Sequence, residues 1–215
     1  MPLFYHMERL YAPHKVRISL FSLDKNMDTQ EVRKAEAWEA RKAFLQANPQ
    51  SDYHPYDQGK LVAYIDLIPL KHEAIMDFIE GRAVVWDNDL KNIESFEPGK
   101  PVECLIADMI TSPTISLTRR TYYVRRLLRG LLGKLVEMGR QGIQITKIYA
   151  GSGPKTPLGL RIISHAGFRE IHRRGEGKVM FELDMMNTDK KILRQYQEAV
   201  SQWKIPRIAQ RATKK

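Results

Sequence analysis

The most constraining stretch of this chain is residues 102–110, Val-Glu-Cys-Leu-Ile-Ala-Asp-Met-Ile, which is apolar at nearly every position. A strand that alternates polar and apolar residues can leave one face in water; this one cannot, and so belongs in the middle of a sheet covered on both sides. After a loop over residues 111–118, Tyr123, Leu127, Leu128, Leu131, Leu132, Leu135 and Val136 recur at the spacing of one wide helix face over residues 119–140. Gln141-Gly142 stops that helix, and residues 143–150 read as strand again. The helix therefore leaves the central strand through a crossover connection.

The flanking segments supply the other layers. Over residues 14–23, Val16, Ile18 and Leu20 alternate with Lys15, Arg17 and Ser19, a half-buried strand. Asp28 or Thr29 caps a helix over residues 30–47, with Val32, Ala35, Trp38, Phe44 and Leu45 at near-helical spacing. A loop runs from Asn48 to Gly59. Residues 61–67 read as a strand stopped by Pro69, and residues 71–80 as a short helix closed by Gly81. Residues 83–86 read as strand, followed by turns at 87–89 and 97–101. Thr156-Pro157 opens a short helix through His165, and strands at 168–172 and 179–184 flank a turn at 174–177. A last helix over residues 188–203 precedes a tail too polar and basic to pack. The fold expected is α/β: one mixed, twisted sheet of about six or seven strands with helices on both faces. Residues 1–187 form the domain, and residues 188–215 the C-terminal helix and basic tail.

This order, together with two local signatures, resembles the GNAT superfamily of acetyl-CoA-dependent N-acetyltransferases. The superfamily's cofactor turn reads Arg/Gln-x-x-Gly-x-Gly/Ala before a helix that opens with Leu-Leu. Here Arg119 and the Leu127-Leu128 pair fall in register, while Tyr122 and Val124 occupy the glycine positions. The second signature is the segment 156–168, which looks like the family's short helix ending in a Gly-Phe corner, Gly167-Phe168. The resemblance covers roughly residues 16–184 in organisation and 102–168 in sequence detail. It implies a GNAT-like fold and acetyl transfer from acetyl-CoA to a primary amine by direct attack. It also implies a place for the cofactor, in the opening between the strands at 102–110 and 143–150. The pantetheine arm would lie along Met109 and Ile110, and the pyrophosphate near Arg119, Arg120, Thr121, Tyr122, Tyr123, Val124 and Arg125. Glycines in that turn let bare N–H groups reach the pyrophosphate. The side chains of Tyr122 and Val124 crowd this approach, and arginines can offset the loss by contacting phosphates directly. Filled glycine positions keep a second reading open: a catalytically inactive GNAT-like module that binds nucleic acid or an acidic protein partner.

For acid/base chemistry the family often uses a tyrosine four residues before the Gly-Phe corner to protonate the departing thiolate; Ile163 stands there. The candidate bases are Asp108 and Glu103 on the central strand and Asp66 on its neighbour, because a carboxylate in an apolar strand is costly unless it faces solvent, a partner or a cleft. Cys104 reads as a small core residue, not a nucleophile. Gly151-Ser152-Gly153-Pro154-Lys155 lacks the Gly-Lys-Ser/Thr of a phosphate loop and reads as a turn. Tyr53, His54 and Tyr56 are candidates for a substrate wall.

Net charge is +10, from 35 Lys and Arg against 25 Asp and Glu, and the excess lies in the second half. That balance suits a polyanionic partner, whether nucleic acid, acidic protein or phosphorylated cofactor, and equally a well-solvated surface. The lone Cys104 excludes a disulfide framework, and six scattered histidines give no metal-ligand spacing. No run approaches the length of about 18 apolar residues that a membrane helix needs, and the first residues carry no secretion pattern, so a cytoplasmic protein is expected. The acceptor and the oligomeric state are left open by the residues.

Overall fold

A computed structural model describes residues 44, 46, 48, 50–53, 55–58, 60–83, 90–111, 115–152 and 163–203. The expected strand at 14–23, most of the helix at 30–47, most of the strand at 83–86, most of the helix starting at Thr156 and the tail lie outside the described residues. Eight strands are described: β1 (Asp52–Tyr53), β2 (Tyr56–Asp57), β3 (Lys60–Leu61), β4 (Ala63–Leu70), β5 (Pro101–Thr111), β6 (Gln144–Ser152), β7 (Arg169–Arg173) and β8 (Val179–Asp184). The main sheet has six strands in the order β1-β4-β5-β6-β8-β7, and β2 pairs with β3 in a small hairpin. Among the described pairings only β5 with β6 is parallel. Helix α1 (His72–Glu80) follows β4, α2 (Leu117–Arg140) makes the crossover from β5 to β6, and α3 (Lys191–Gln202) follows β8.

Burial explains the layers. β4 is buried at all eight positions, as its apolar sequence requires of a strand covered on both faces. One core lies between the sheet and α2 with α3, built on Ile65, Leu67, Cys104, Tyr123, Leu127, Leu135, Ile148 and Tyr196. The other lies under α1, where Ile68, Leu70, Ile75, Phe78, Ile79, Leu105, Tyr149 and Met180 meet Phe44. Leu193, Tyr196 and Val200 of α3 belong to the first core. Tyr196 fixes this docking: its hydroxyl accepts the Ile145 N–H at 2.6 Å and lies 3.1 Å from the Ile145 carbonyl.

Pro69 does not end the strand, as the sequence suggested; β4 continues through it to Leu70. The Pro69 carbonyl accepts the Glu94 N–H at 3.0 Å, on the side away from β5. In a strand, one residue's nitrogen and carbonyl point the same way, so the missing N–H also faces outward and costs the β4–β5 ladder nothing. Similarly, α2 begins at Leu117, with Ser116 at its cap position, two residues before the expected start. Trp203, just past α3, lays its indole against Gly142 at the end of α2, where φ is +83° and any Cβ would overlap the ring. The same ring lies 3.3 Å from where a Cβ would stand at Gly99, whose N–H donates to the Gly142 carbonyl at 2.9 Å.

At the far side of the sheet, β7 is exposed at every position and, among the described strands, pairs only with β8. Its register slips between Glu170 and His172, leaving Ile171 in a bulge.

Candidate functional site

The two parallel strands part company. β5 and β6 pair from Pro101↔Gln144 to Ile106↔Ala150 and no further. Beyond that point Ala107 to Thr111 continue against β4 alone, while Gly151 and Ser152 continue against β8 alone. A bulge sits at the parting: Ile65↔Met109 and Leu67↔Ile106 leave one β4 residue, Asp66, opposite two β5 residues, Ala107 and Asp108. Its effect on the face pattern is visible in the core, since Ile106 and Met109, three apart, both pack against the α2 side. The result is a wedge whose β5 wall carries backbone groups that no described strand pairs.

The N-terminus of α2 stands at the open end of this wedge. Ser116 makes no side-chain cap, the first turn carries no acidic residue, and the first N–H bonded within the helix is that of Arg120, to the Ser116 carbonyl at 2.9 Å. The N–H groups of Leu117, Thr118 and Arg119 therefore precede the helical ladder and point out of its positive end. Those of Tyr122 and Val124, at the positions of the family's glycines, lie inside the ladder. The wide side chains there are thus compatible with the helix.

The expected cofactor residues divide accordingly. Met109 and Ile110 lie on the unpaired stretch of β5, opposite Ile65 and Tyr64 of β4. Arg119 is exposed in the first turn, and Arg120 beside it donates from Nε to the Ile115 carbonyl at 2.9 Å. Thr121 is half-buried, Tyr122 is 60% exposed, and Arg125 is exposed. Tyr123 and Val124 are buried and face the core. The Tyr123 hydroxyl donates to the Asp57 carboxylate, a short bond that ties the β2–β3 hairpin to α2. This bond, followed by burial, raises the Tyr123 pKa. The candidate wall residue Tyr53 packs its ring directly onto Gly130 of α2, and His54 lies outside the described residues.

Of the carboxylates, Asp108 belongs to the bulge, two residues above the last β5–β6 pair, and Asp66 is fully buried opposite it on β4. Glu103 lies three residues below that last pair, about 10 Å along the strand. It is not isolated. His72 Nδ1 is 2.7 Å from Glu103 Oε2, and the Tyr149 hydroxyl lies 3.4 Å from the same oxygen. Burial, followed by the charges of Glu103 and Glu182, pushes the Tyr149 pKa up, so this hydroxyl keeps its proton. Glu182 on β8, itself buried, accepts from Lys147 at 3.1 Å and from Arg169 at 2.5 Å. Burial would raise its pKa, but the hydrogen bonds from Arg169 and Lys147 outweigh this and hold the carboxyl below its ordinary range. A cleft of about 350 Å³ opens beside Glu103, lined also by Lys71, His72, Glu73, Glu94 and Thr146.

His72, Tyr149, Lys147, Glu182 and Arg169 were not singled out in the sequence. The only local signal is Lys147-x-Tyr149, a charge and a polar aromatic two apart on one face of β6. Cys104 is fully buried, and burial, then Glu94 and Glu103, raises its thiol pKa well above the usual range, which fits a core residue. Ile163, at the family's tyrosine position, is half-buried in the helical turn before Gly167. Among the described residues no His, Cys, Asp or Glu cluster has metal-binding geometry, and no helix is long and apolar enough to cross a membrane.

No protein-family model and no curated protein matches the sequence. Solved structures do. A GNAT-family acetyltransferase of Staphylococcus aureus Mu50 is 15% identical, with 86% of this chain and 95% of that chain covered and a TM-score of 0.47. A putative acetyltransferase of Salmonella typhimurium, solved with its cofactor acetyl-CoA, is 14% identical over 71% of this chain and 76% of that chain, with a TM-score of 0.43. An N-acetyltransferase of Thermoplasma acidophilum in complex with coenzyme A is 12% identical over 78% and 82%, with a TM-score of 0.42. At such identities and scores the detail must come from the chain's own topology: antiparallel β4–β5, a bulge where β5 leaves β6, one described parallel pair, and α2 crossing between its strands. That topology, a mixed sheet with helices on both faces, is the one that the sequence resemblance to the GNAT superfamily leads one to expect.

Proposed function

We propose that this protein is an N-acetyltransferase that transfers acetyl from acetyl-CoA to a primary amine. The observation that carries the reading is the parting of β5 from β6 after Ile106↔Ala150, with the uncapped N-terminus of α2 at the same end. An amide-bearing arm can lie along the unpaired edge of residues 107–111 as an extra strand would, and a pyrophosphate suits the free N–H groups of residues 117–119. Arg119 and Arg120 add charge-assisted contacts there. When bound, acetyl-CoA supplies the acetyl group as an activated thioester. Glu103, held by His72, or Asp108 in the bulge takes the proton from the acceptor amine, through water where the gap requires it. Tyr149, with its hydroxyl protonated and one residue below the parting, holds a proton for the departing sulfur.

Calorimetry with acetyl-CoA tests the reading directly. Binding is expected, and Arg119→Ala with Arg120→Ala should weaken it by about 30-fold or more, since each charged phosphate contact contributes roughly 1 kcal/mol or more. Undiminished affinity in that pair would mean the phosphates lie elsewhere, and no binding by the wild type would end the enzyme reading. Given turnover, Glu103→Gln and Asp108→Asn separate the two bases: the true one should lose about 100-fold or more in kcat.

A further inference from the structure

We infer that the outer face of α2 is a binding surface for single-stranded nucleic acid. Arg119, Tyr122, Arg125, Arg126 and Arg129 are all exposed. At 3.6 residues per turn they fall within about 120° of the helix circumference, with Tyr122 near the middle. Tyr122 is 60% exposed and held edge-to-face on Tyr123, ring centres 5.2 Å apart. The opposite face is fixed in the core through Tyr123, Leu127, Leu131 and Leu135, so the stripe is carried on a rigid element.

This face costs the helix stability, and among the described residues nothing offsets that cost. No acidic residue occurs between Asp108 and Glu137, so no carboxylate on the helix balances these cations until its last turn. Among the described residues, Arg119, Arg125, Arg126 and Arg129 make no ion pair. Arg119 and Arg120 stand in the first turn, where the helix dipole favours negative charge, and Arg125 and Arg129 repel each other one turn apart. An external polyanion would offset both costs. From Arg119 to Arg129 is about 15 Å at 1.5 Å per residue, close to the length of four stacked nucleotides of one strand. Four unpaired guanidiniums along that length match successive phosphates, and an exposed tyrosine among them is a platform on which an unpaired base can stack. A duplex offers phosphates but no free base face, which is why the single strand is the partner favoured.

The test is fluorescence anisotropy with labelled single-stranded RNA and DNA of about 12 nucleotides and a duplex of the same length, at about 50 and 200 mM salt. With four phosphates neutralised, single-strand affinity should fall about 50-fold between those salts, and in Arg126→Gln/Arg129→Gln only about sevenfold. Tyr122→Ala should weaken single-strand binding by about tenfold while leaving the salt dependence as it is. Acetyl-CoA calorimetry on the Arg126→Gln/Arg129→Gln protein separates this surface from the coenzyme site: unchanged coenzyme affinity with the reduced salt dependence supports the inference. No oligonucleotide binding at low salt overturns it, as does duplex binding at least as tight as single-strand binding. Loss of acetyl-CoA affinity with unaltered oligonucleotide binding would give these arginines to the coenzyme instead.

Discussion

Gly142→Ala should lower stability by about 3 kcal/mol, and Gly133→Ala, the same change nine residues earlier, should raise it by up to about 1 kcal/mol. At Gly142 two costs add. The backbone sits at φ +83°, where a side chain is strained, and the new Cβ would overlap the Trp203 indole. The ring must then leave the seat it shares with Gly99, loosening the junction of α2, α3 and the β5 approach. At Gly133, inside α2, a Cβ would meet nothing within 4 Å, and the gain is the ordinary helix preference of alanine. For a chain of this size the first change corresponds to a fall in Tm of about 9 °C. Thermal unfolding of both variants decides the matter; similar small shifts in the two would mean that Trp203 is not seated as described.

The second large effect belongs to Glu182. Glu182→Gln should destabilise the protein by about 2 kcal/mol near pH 7, since a buried carboxylate loses charge-assisted bonds while Lys147 and Arg169 keep their charges. The figure is kept low because the side chain of Arg169 is 72% exposed and water screens its share. The pH dependence has a definite sign. The folded carboxyl titrates below its unfolded value, so its contribution is complete above about pH 4.3 and disappears as pH falls through the folded pKa. Wild type and variant should therefore converge in acid, and denaturant unfolding at several pH values would reveal it. A gap that stays constant down to about pH 3 would show that packing, not charge, sets the difference.

What the sequence discloses follows from how locally each feature is encoded. The central strand and α2 are legible because an unbroken apolar run and a helical stripe each carry their burial within a few neighbouring residues. α2 starts two residues before the position that the turn at Arg119 predicts, just after Ser116, an ordinary capping residue type. Pro69 misled for a different reason: whether its missing N–H matters depends on which way β4 turns that nitrogen, and only the pairing with β5 decides this. The polar row on the α1 face was illegible, since Glu103 and Tyr149 meet across 46 residues of sequence, and Lys147 and Glu182 across 35. No periodicity records such pairs; they exist only once the strand order is set. The wedge is an intermediate case. Asp108 in an apolar run calls for solvent, a partner or a cleft beside it, but the extra residue of the bulge shows only against β4.

The last strand of the sheet governs how this molecule behaves in a crowd of copies of itself. An outermost strand with free hydrogen-bonding groups is a template on which a neighbouring chain can extend the sheet indefinitely. In β7 that template is spoiled in two ways: the bulge at Ile171 breaks the even spacing of donors and acceptors, and the ion-paired Glu170 and Arg173 hold their charge at the rim. A passing strand would have to desolvate those charges and follow a kinked rail to add on. Among the described strands, this edge of the sheet thus carries its own terminator.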